Sequence, residues 1–237
     1  MKNLLKKSFI LCFLCFFTLQ FSSAQSEEKA IKIAHKVIET MGGEENWNNV
    51  HYIQWDFGKR KLYWNKWTGD VRVEAPKDGL TVLVNINTNL GKAFKNKELI
   101  TDEKQTKKLV NQAKKWWIND SYWLTMPWKM LDPGVTLKYI RKDKLPDGHS
   151  ADVLQMTFEN VGVTPQNKYE IYVDKKEHLI KQWSFFSNFN DEKPKFTKPW
   201  DNYQPIENVL LSFNRSDFGP KNVVVKKKFD SLLFTAL

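Results

Sequence analysis

Residues 116–131 read WWINDSYWLTMPWKML, and the architecture that we expect follows from them. Its aromatic rings and methionines fall on nearly every side of a helix, so an exposed helix would leave many of them in water. Protein must therefore cover most of the stretch, or the stretch must line a concave apolar space. Ordinary core packing explains the same pattern, because tryptophan and methionine at helical spacing usually fill a core.

The residues around this stretch set the bounds of the predicted central helices. Residues 101–104, Thr-Asp-Glu-Lys, are typical of a helix start, and a lysine-rich amphipathic pattern follows them. We expect a break at Asn119-Asp120-Ser121, because such residues favour turns over helix interiors. A second helix over 122–131 then ends before Asp132-Pro133-Gly134.

On both sides of the central helices, apolar and polar residues alternate with a period of two, which is typical of β-strands. The strands predicted from this alternation cover 53–57, 62–67, 71–75, 80–86, 91–94, 136–141, 153–159, 169–173, 180–187, 209–213 and 223–227. The connections are too short for parallel crossovers, so we expect antiparallel pairing. Residues 188–206 contain three prolines and predict an irregular surface loop of the kind that carries function.

The N-terminal region predicts an export signal followed by a helix. Three lysines precede the apolar run 8–21, which is shorter than the ~20 residues that a membrane span needs. Small residues at 22–24 suit signal peptidase, so we expect residues 1–24 to be removed and 25–237 to form a single exported domain. A helix over about 26–41 follows and ends at Gly42-Gly43.

Composition excludes several kinds of chemistry. Both cysteines, Cys12 and Cys15, lie in the predicted signal, so the processed chain has no thiol, disulfide or cysteine metal ligand. The net charge of +10 falls to +7 without residues 1–24, which hold three lysines and no acidic residue. The lysines are scattered, so we expect solvated faces, at most a weak contact with a membrane surface, and no nucleic-acid partner.

No pattern of catalytic or metal-binding residues stands out. The four histidines (His35, His51, His149 and His178) lack zinc-site spacing, and no G-x-S-x-G or glycine-rich phosphate loop occurs. The carboxylate pairs Asp152 with Glu159 and Asp174 with Glu177 are adequately explained as solvated turn residues. We therefore expect no enzyme activity, no metal and no cofactor.

Aromatic residues on the strands can supply a wall opposite the central helices. The candidate ligand-binding residues are Trp55, Phe57, Trp64, Met156, Phe158, Tyr172 and Trp183 on strands, with Trp117, Tyr122, Trp123, Met126 and Trp128 on the helices. Which strand face points inward stays open, because a register error of one residue exchanges the two faces.

Several stretches carry a resemblance to a known family. They are A-x-x-V-I-E-x-x-G-G at 34–43, NDSYWL at 119–124, Pro127-Trp128, DPGVTL at 132–137 and VGVTPQNKY at 161–169. With the order of the elements, they resemble an uncharacterised family of exported proteins within the lipoprotein-localisation carrier (LolA/LolB-like) superfamily. The resemblance implies an α+β fold in which a curved antiparallel sheet forms a half-open barrel, with an N-terminal helix and a helical lid.

The resemblance also implies a function and one further residue. These carriers shield acyl chains in an apolar cavity, and an arginine early in their sheet holds the lid closed. Arg72 on the third strand is the nearest candidate for that lid–sheet contact. The carriers' Arg-Pro signature is absent, which favours binding of a lipid or another hydrophobic molecule over true lipoprotein transfer.

With the resemblance, we therefore expect a half-barrel protein of the Gram-negative periplasm that carries a hydrophobic ligand, with lipoprotein acyl chains as one option. A monomer is favoured, and the sequence leaves the oligomeric state open. Two alternatives stay open. One is an exported hydrolase that uses carboxylates or a histidine near residues 188–206. The other is a filled-core module that binds another envelope protein through a strand edge.

Overall fold

The computed structural model describes residues 24–159, 161–216 and 218–237, apart from the side chain of Ser231. The predicted signal peptide therefore lies outside the described residues, except for Ala24. Three α-helices are present in the described chain: α1 over 24–40, α2 over Gly43–Asn49 and α3 over Glu103–Thr125. None of the helices within the described residues has the length and apolar character needed to cross a membrane.

Fourteen strands account for most of the remaining described chain. They are β1 (Tyr52–Phe57), β2 (Arg60–Asn65), β3 (Asp70–Ala75), β4 (Leu80–Asn85), β5 (Gly91–Lys95), β6 (Glu98–Leu99), β7 (Val135–Lys144), β8 (Ser150–Phe158), β9 (Lys168–Asp174), β10 (Ile180–Phe186), β11 (Phe196–Pro199), β12 (Asp201–Ile206), β13 (Val209–Asn214) and β14 (Lys221–Lys226). Short 3₁₀ helices cover Pro76–Asp78, Met126–Lys129 and Ser231–Phe234.

The strands form three sheets. One has seven strands in the order β14-β1-β2-β3-β4-β5-β6, one has five in the order β11-β10-β9-β8-β7, and β12 pairs with β13. The described pairings whose registers are given are all antiparallel. The expected α+β class, with antiparallel sheets, an N-terminal helix and a central helix, is confirmed, and the sheets are not closed into a barrel.

The described chain divides into two compact units. The first contains the described residues up to Val37 together with Met130–Val161 and Pro165–Thr197. Here α1 lies against β7, because Ser26 Oγ donates to the Tyr139 carbonyl oxygen at 2.8 Å and Lys29 Nζ lies 3.2 Å from the centre of the Tyr139 ring. The single domain over 25–237 stays a prediction.

The second unit contains Ile38–Lys129, Gly162–Thr164 and Lys198–Leu237. Its seven-stranded sheet follows the predicted alternation, so that every second residue of β1 and β3 is buried. The helix α3 packs on this sheet at β3, β4 and β5. Its buried side includes Val110, Ala113 and Leu124, and its N-cap is Asp102, whose side chain accepts from the Gln105 amide at 2.6 Å.

The predicted break at residues 119–121 is wrong, because α3 continues through them to Thr125. Asp120 is completely buried and paired with Arg60, and Ser121 Oγ donates to the Ile118 carbonyl oxygen at 3.3 Å. Asp and Ser side chains favour a turn when their polar groups lack partners, and here these contacts provide the partners within the helix. The predicted second helix is reduced to the 3₁₀ turn Met126–Lys129, which contains Pro127.

The predicted irregular loop over 188–206 is also wrong in its second half, which forms β11 and β12. Pro199 ends β11, and Pro205 lies in the two-stranded sheet opposite Leu210. Proline is tolerated at a strand end and in an edge strand, because its missing N–H removes no hydrogen bond there.

The Gly42-Gly43 stop of the first helix is confirmed, and the close approach of a second segment explains it. Gly42 has a φ of 117°, and its amide donates to the Glu39 carbonyl oxygen at 3.1 Å. A Cβ atom on Gly42 would collide with the Asn208 carbonyl oxygen in the β12–β13 turn. Only glycine therefore fits both the conformation and the space.

Candidate functional site

In the second unit, one face of the seven-stranded sheet carries the predicted aromatic residues of the first two strands. Trp55 and Phe57 on β1 and Trp64 on β2 are buried, whereas Tyr52 and Tyr63 belong to the opposite face. The register, in which Ile53 pairs with Trp64 and Trp55 with Leu62, places these buried residues on one side. The face that the sequence left open is therefore the one that α3 covers.

The helix α3 supplies the facing rings. The Trp117 ring lies edge-on to Trp64 with 5.1 Å between centroids, and Trp123 lies 5.8 Å from Phe57. Phe218 completes the cluster at 4.8 Å from Phe57 and 5.2 Å from Trp123. We name Trp55, Phe57, Trp64, Trp117, Trp123 and Phe218 the aromatic layer. It brings together five of the predicted residues.

The predicted residues that follow Trp117 along the chain lie around the end of α3. Met126 is fully buried and Tyr122 is half-buried. Trp128 is buried and stacks on Trp47, with centroids 4.9 Å apart and ring planes within 9°.

Four indole N–H groups in this region are buried without an acceptor. They belong to Trp55, Trp64, Trp117 and Trp128, whose Nε1 atoms have no hydrogen-bond partner among the described residues. A buried indole N–H normally finds a partner. Leaving one unpaired costs about 1–3 kcal/mol.

An ion pair joins α3 to the sheet. Arg60 on β2 binds Asp120 on α3 with both ends of its guanidinium, Nε to Oδ2 at 2.7 Å and Nη2 to Oδ1 at 2.9 Å. The Asp120 side chain is 0% exposed and the Arg60 side chain is 23% exposed. Burial raises the pKa of Asp120 above its ordinary value, while hydrogen bonds from Arg60 and Asn119 oppose that rise.

A second arginine binds the C-terminal end of α3. Arg215, directly after β13, is completely buried and donates from Nη2 to the Trp123 carbonyl oxygen at 2.9 Å. Its Cζ lies 3.3 Å from the centre of the Trp200 ring. A cation is favourable there, because the last carbonyls of a helix carry partial negative charge. Burial lowers the pKa of Arg215 to about 9, although Tyr203 and Asp201 oppose that shift.

Arg72, the predicted lid contact, lies on the sheet face opposite the aromatic layer. Its Nε binds Glu74 at 2.6 Å, and its Nη1 donates to the carbonyl oxygens of Leu233 at 3.3 Å and Ala236 at 2.9 Å. Its described bonds therefore run to the C-terminal residues, and the contact with the central helices stays a prediction. Sequence reasoning missed Arg60 and Arg215, although Arg60 is also an arginine early in the sheet.

The remaining predicted residues belong to the first unit and do not share one face. Met156 pairs with Tyr169, whose ring lies 5.7 Å from Phe158 and 5.1 Å from Trp183. Tyr172 is three positions from Tyr169 and therefore points to the other face. Its hydroxyl accepts from Arg141 Nη2 at 3.0 Å. The predicted wall of Met156, Phe158, Tyr172 and Trp183 is thus divided between two faces.

One histidine contacts a buried carboxylate in the first unit. His149 Nδ1 lies 3.0 Å from Asp174 Oδ2, and Asp174 Oδ1 accepts from the Lys176 and Glu177 amides. Burial raises the pKa of Asp174, but those amides and His149 outweigh it, so the pKa is lowered. The ligand atoms of His149, Asp174 and Glu177 all lie within 4.8 Å of one another. Both oxygens of Asp174 are already engaged, so a structural role in the turn explains this group.

A groove of ≈ 390 Å³ lies beside strands β3 to β5 of the second unit. Its lining includes Leu83, Asn85, Leu90, Lys92 and Phe234. None of the predicted ligand-binding residues lines this groove.

Known family models and curated proteins give no match to this chain. Solved structures do match it. One is a LolA superfamily protein from Nitrosomonas europaea, with a TM-score of 0.45 and 10% identity, covering 86% of this chain and 96% of that one. Another is a DUF1329 family protein from Desulfovibrio piger, with a TM-score of 0.43, 10% identity and the same coverage of 86% and 96%.

Proposed function

We propose that the protein binds and carries a lipid or another hydrophobic molecule in the periplasm, without chemistry on it, and that the ligand enters the aromatic layer. The observation that carries the proposal is the set of buried indole N–H groups without an acceptor at Trp55, Trp64, Trp117 and Trp128. Two of these four residues, Trp64 on β2 and Trp117 on α3, contact each other across the interface of α3 with the sheet, and Trp55 lies on the same sheet face as Trp64.

The layer suits a ligand that combines an apolar chain with an acceptor oxygen. Rings line the interface between sheet and helix, and each methylene of an acyl chain that enters among them contributes about 0.8 kcal/mol. An ester, amide or carboxylate oxygen on the same ligand would accept from an indole N–H. A permanently filled core would gain nothing from keeping these donors unpaired.

Entry of a chain requires α3 to move, since the rings of the layer now pack on one another. The polar contacts that hold α3 are Arg60 with Asp120 and Arg215 with the Trp123 carbonyl oxygen. When α3 moves, both partners of each contact can bond to water instead, at a net cost of about 1.5–3 kcal/mol for a hydrogen bond that involves a charged group. Arg60 thus takes the role that the resemblance implies for an arginine early in the sheet.

Binding of a fluorescent polyene fatty acid tests the proposal. Trp117→Phe removes an indole N–H and keeps an aromatic ring, and we expect it to weaken binding by about tenfold, the loss of one hydrogen bond of ~1.4 kcal/mol. The matched control is Trp67→Phe, because Trp67 is 59% exposed and lies outside the layer.

Native mass spectrometry of protein purified from cells supplies a second readout. We expect a copurified lipid on the wild-type chain. Bare polypeptide mass together with no fatty-acid fluorescence would contradict the proposal and favour the filled-core interaction module. Turnover of an ester substrate that depends on His149 would favour the hydrolase.

A further inference from the structure

The last twelve residues, 226–237, read KKKFDSLLFTAL, and we name them the C-terminal segment. One side of the segment packs on the sheet face opposite the aromatic layer. The Phe229 ring lies 5.3 Å from Tyr52 and 6.0 Å from Tyr63, and the Phe234 ring lies 6.0 Å from Tyr52. The segment is therefore anchored by aromatic contacts.

Hydrogen bonds fix the same segment to the sheet. Arg72 donates to the carbonyl oxygens of Leu233 and Ala236, and Glu74 holds the Arg72 guanidinium from β3. Asp230 caps the 3₁₀ turn by accepting from the Leu232 amide at 2.9 Å. The one acidic side chain of the segment is thus engaged in its own turn.

The other side of the segment faces solvent with cationic and apolar groups. Lys226, Lys227 and Lys228 are exposed, as are Leu232 at 62% and Leu237 at 49%. Trp67, also exposed, is connected to the same face, because His51 stacks between its ring and Tyr52 at 3.8 and 3.7 Å. The segment therefore presents three cationic groups and two exposed leucines within twelve residues.

We propose that this surface docks the protein onto a bilayer that contains anionic lipid. The three lysines meet the headgroups, and Leu232 and Leu237 enter the interface. Lysine clusters beside apolar residues bind such surfaces by two additive terms, coulombic attraction and burial of apolar area. The docking surface uses the face of the sheet opposite the aromatic layer, so it operates whether or not a ligand occupies that layer.

Protection of a sheet edge is an alternative role for the three lysines, and it predicts a different experimental result. Strand β14 is an edge of the seven-stranded sheet, and lysine on an edge strand prevents pairing with another chain. Lys227 and Lys228 lie beyond the end of β14, however, where no ladder needs protection. If edge protection were their role, removing the charges would cause aggregation and leave vesicle binding unchanged.

Cosedimentation with vesicles tests the docking. Protein purified after export is mixed with vesicles of equal parts phosphatidylglycerol and phosphatidylethanolamine, or with phosphatidylcholine vesicles. Each lysine near an anionic surface contributes about fivefold, so K226Q/K227Q/K228Q should lower the partition coefficient by ~10²-fold. The matched control is K104Q/K107Q/K108Q, which removes the same charge from exposed positions of α3.

The apolar contribution has its own pair of variants. L232S/L237S should weaken binding by about tenfold, because each leucine loses partial burial in the interface. I31S/L99S, at positions 42% and 52% exposed and outside the groove that Phe234 lines, should leave binding unchanged. Circular dichroism checks that every variant is folded.

Three outcomes would overturn the docking proposal. The first is failure of the wild-type protein to bind phosphatidylglycerol vesicles. The second is an equal loss in the α3 control, which would indicate net charge alone. The third is capture of an envelope protein by the C-terminal segment with no vesicle binding, which would assign the surface to a protein partner.

Discussion

The ion pair between Arg60 and Asp120 gives the sharpest prediction about how α3 is held. Arg60→Met leaves the Asp120 carboxyl, which is 0% exposed, without its cation. Removing one partner of a buried pair costs about 3–5 kcal/mol, and the partial exposure of Arg60 favours the lower end, ~3 kcal/mol. Asp120→Asn leaves Arg60 to turn towards solvent, so we expect a smaller cost of about 2 kcal/mol.

The double variant R60M/D120N should cost less than the sum of the two single variants. The cost of R60M comes mainly from its unpaired buried carboxylate, and the double variant has no such carboxylate. We therefore expect a coupling energy of ~2 kcal/mol between the two positions. Urea unfolding followed by tryptophan fluorescence measures these values. Nine of the ten tryptophans belong to the second unit, so the signal reports the unit that contains the pair.

The pH dependence of R60M supplies an independent check. The pKa of Asp120 is already raised by burial, and the loss of Arg60 removes a bond that opposes the rise. An acid whose pKa is higher in the folded state keeps its proton longer there, so stability falls as the pH rises through the folded pKa. The deficit of R60M should therefore grow as the pH rises above the ordinary aspartate pKa of about 4. A cost below about 1 kcal/mol at neutral pH, or an additive cycle, would refute this account of the pair.

Three further predictions concern other parts of the fold. Arg215→Met should lower the free energy of unfolding by about 2–4 kcal/mol, because the buried carbonyl oxygens of Trp123 and Ser212 lose their donor; no loss in urea unfolding would contradict it. Gly42→Ala should lower the free energy of unfolding by ~3 kcal/mol or more, because its Cβ collides with Asn208. Gly43→Ala has open space around its Cβ and should lower it by only about 1–2 kcal/mol. Equal losses would disprove the close approach at Gly42. Burial raises the pKa of Tyr169 to about 12, so the free energy of unfolding should fall as the pH rises from about 10 towards that value. In the wild-type protein, phenolate absorbance should show a late titration step near pH 12. Tyr169→Phe should lack this step.

Local patterns in the sequence were sufficient to predict most secondary structure. The alternation at Ile53, Trp55 and Phe57 gave β1 and its buried face, and Asp102 was recognised as the start of α3. These signals are local, because alternation and capping depend on neighbours along the chain. The division of the strands among three sheets depends on pairing between distant residues, which such patterns do not contain.

The errors arise where a distant residue satisfies a polar group. Asn119-Asp120-Ser121 predicts a turn only while Asp120 lacks Arg60, which lies sixty positions away along the chain. Tyr172 is a large apolar residue on a strand, as Met156 and Trp183 are, but its side chain points to the other face. The strand register, and not the residue type, decides which face a side chain joins. Arg60 and Arg72 are both arginines early in the sheet, and no local pattern distinguishes them, so the contact of Arg72 with the central helices stays a prediction.

Photolabelling shows where an acyl chain binds in the protein. Protein is loaded with a photoactivatable fatty acid, irradiated and digested, and the modified peptides are identified by mass spectrometry. The account predicts modification on α3 between Trp117 and Trp123 and on β1 and β2 around Trp55 and Trp64, with less modification after Trp117→Phe. Modification confined to the C-terminal segment or to the groove beside β4 and β5, or none at all, would contradict it.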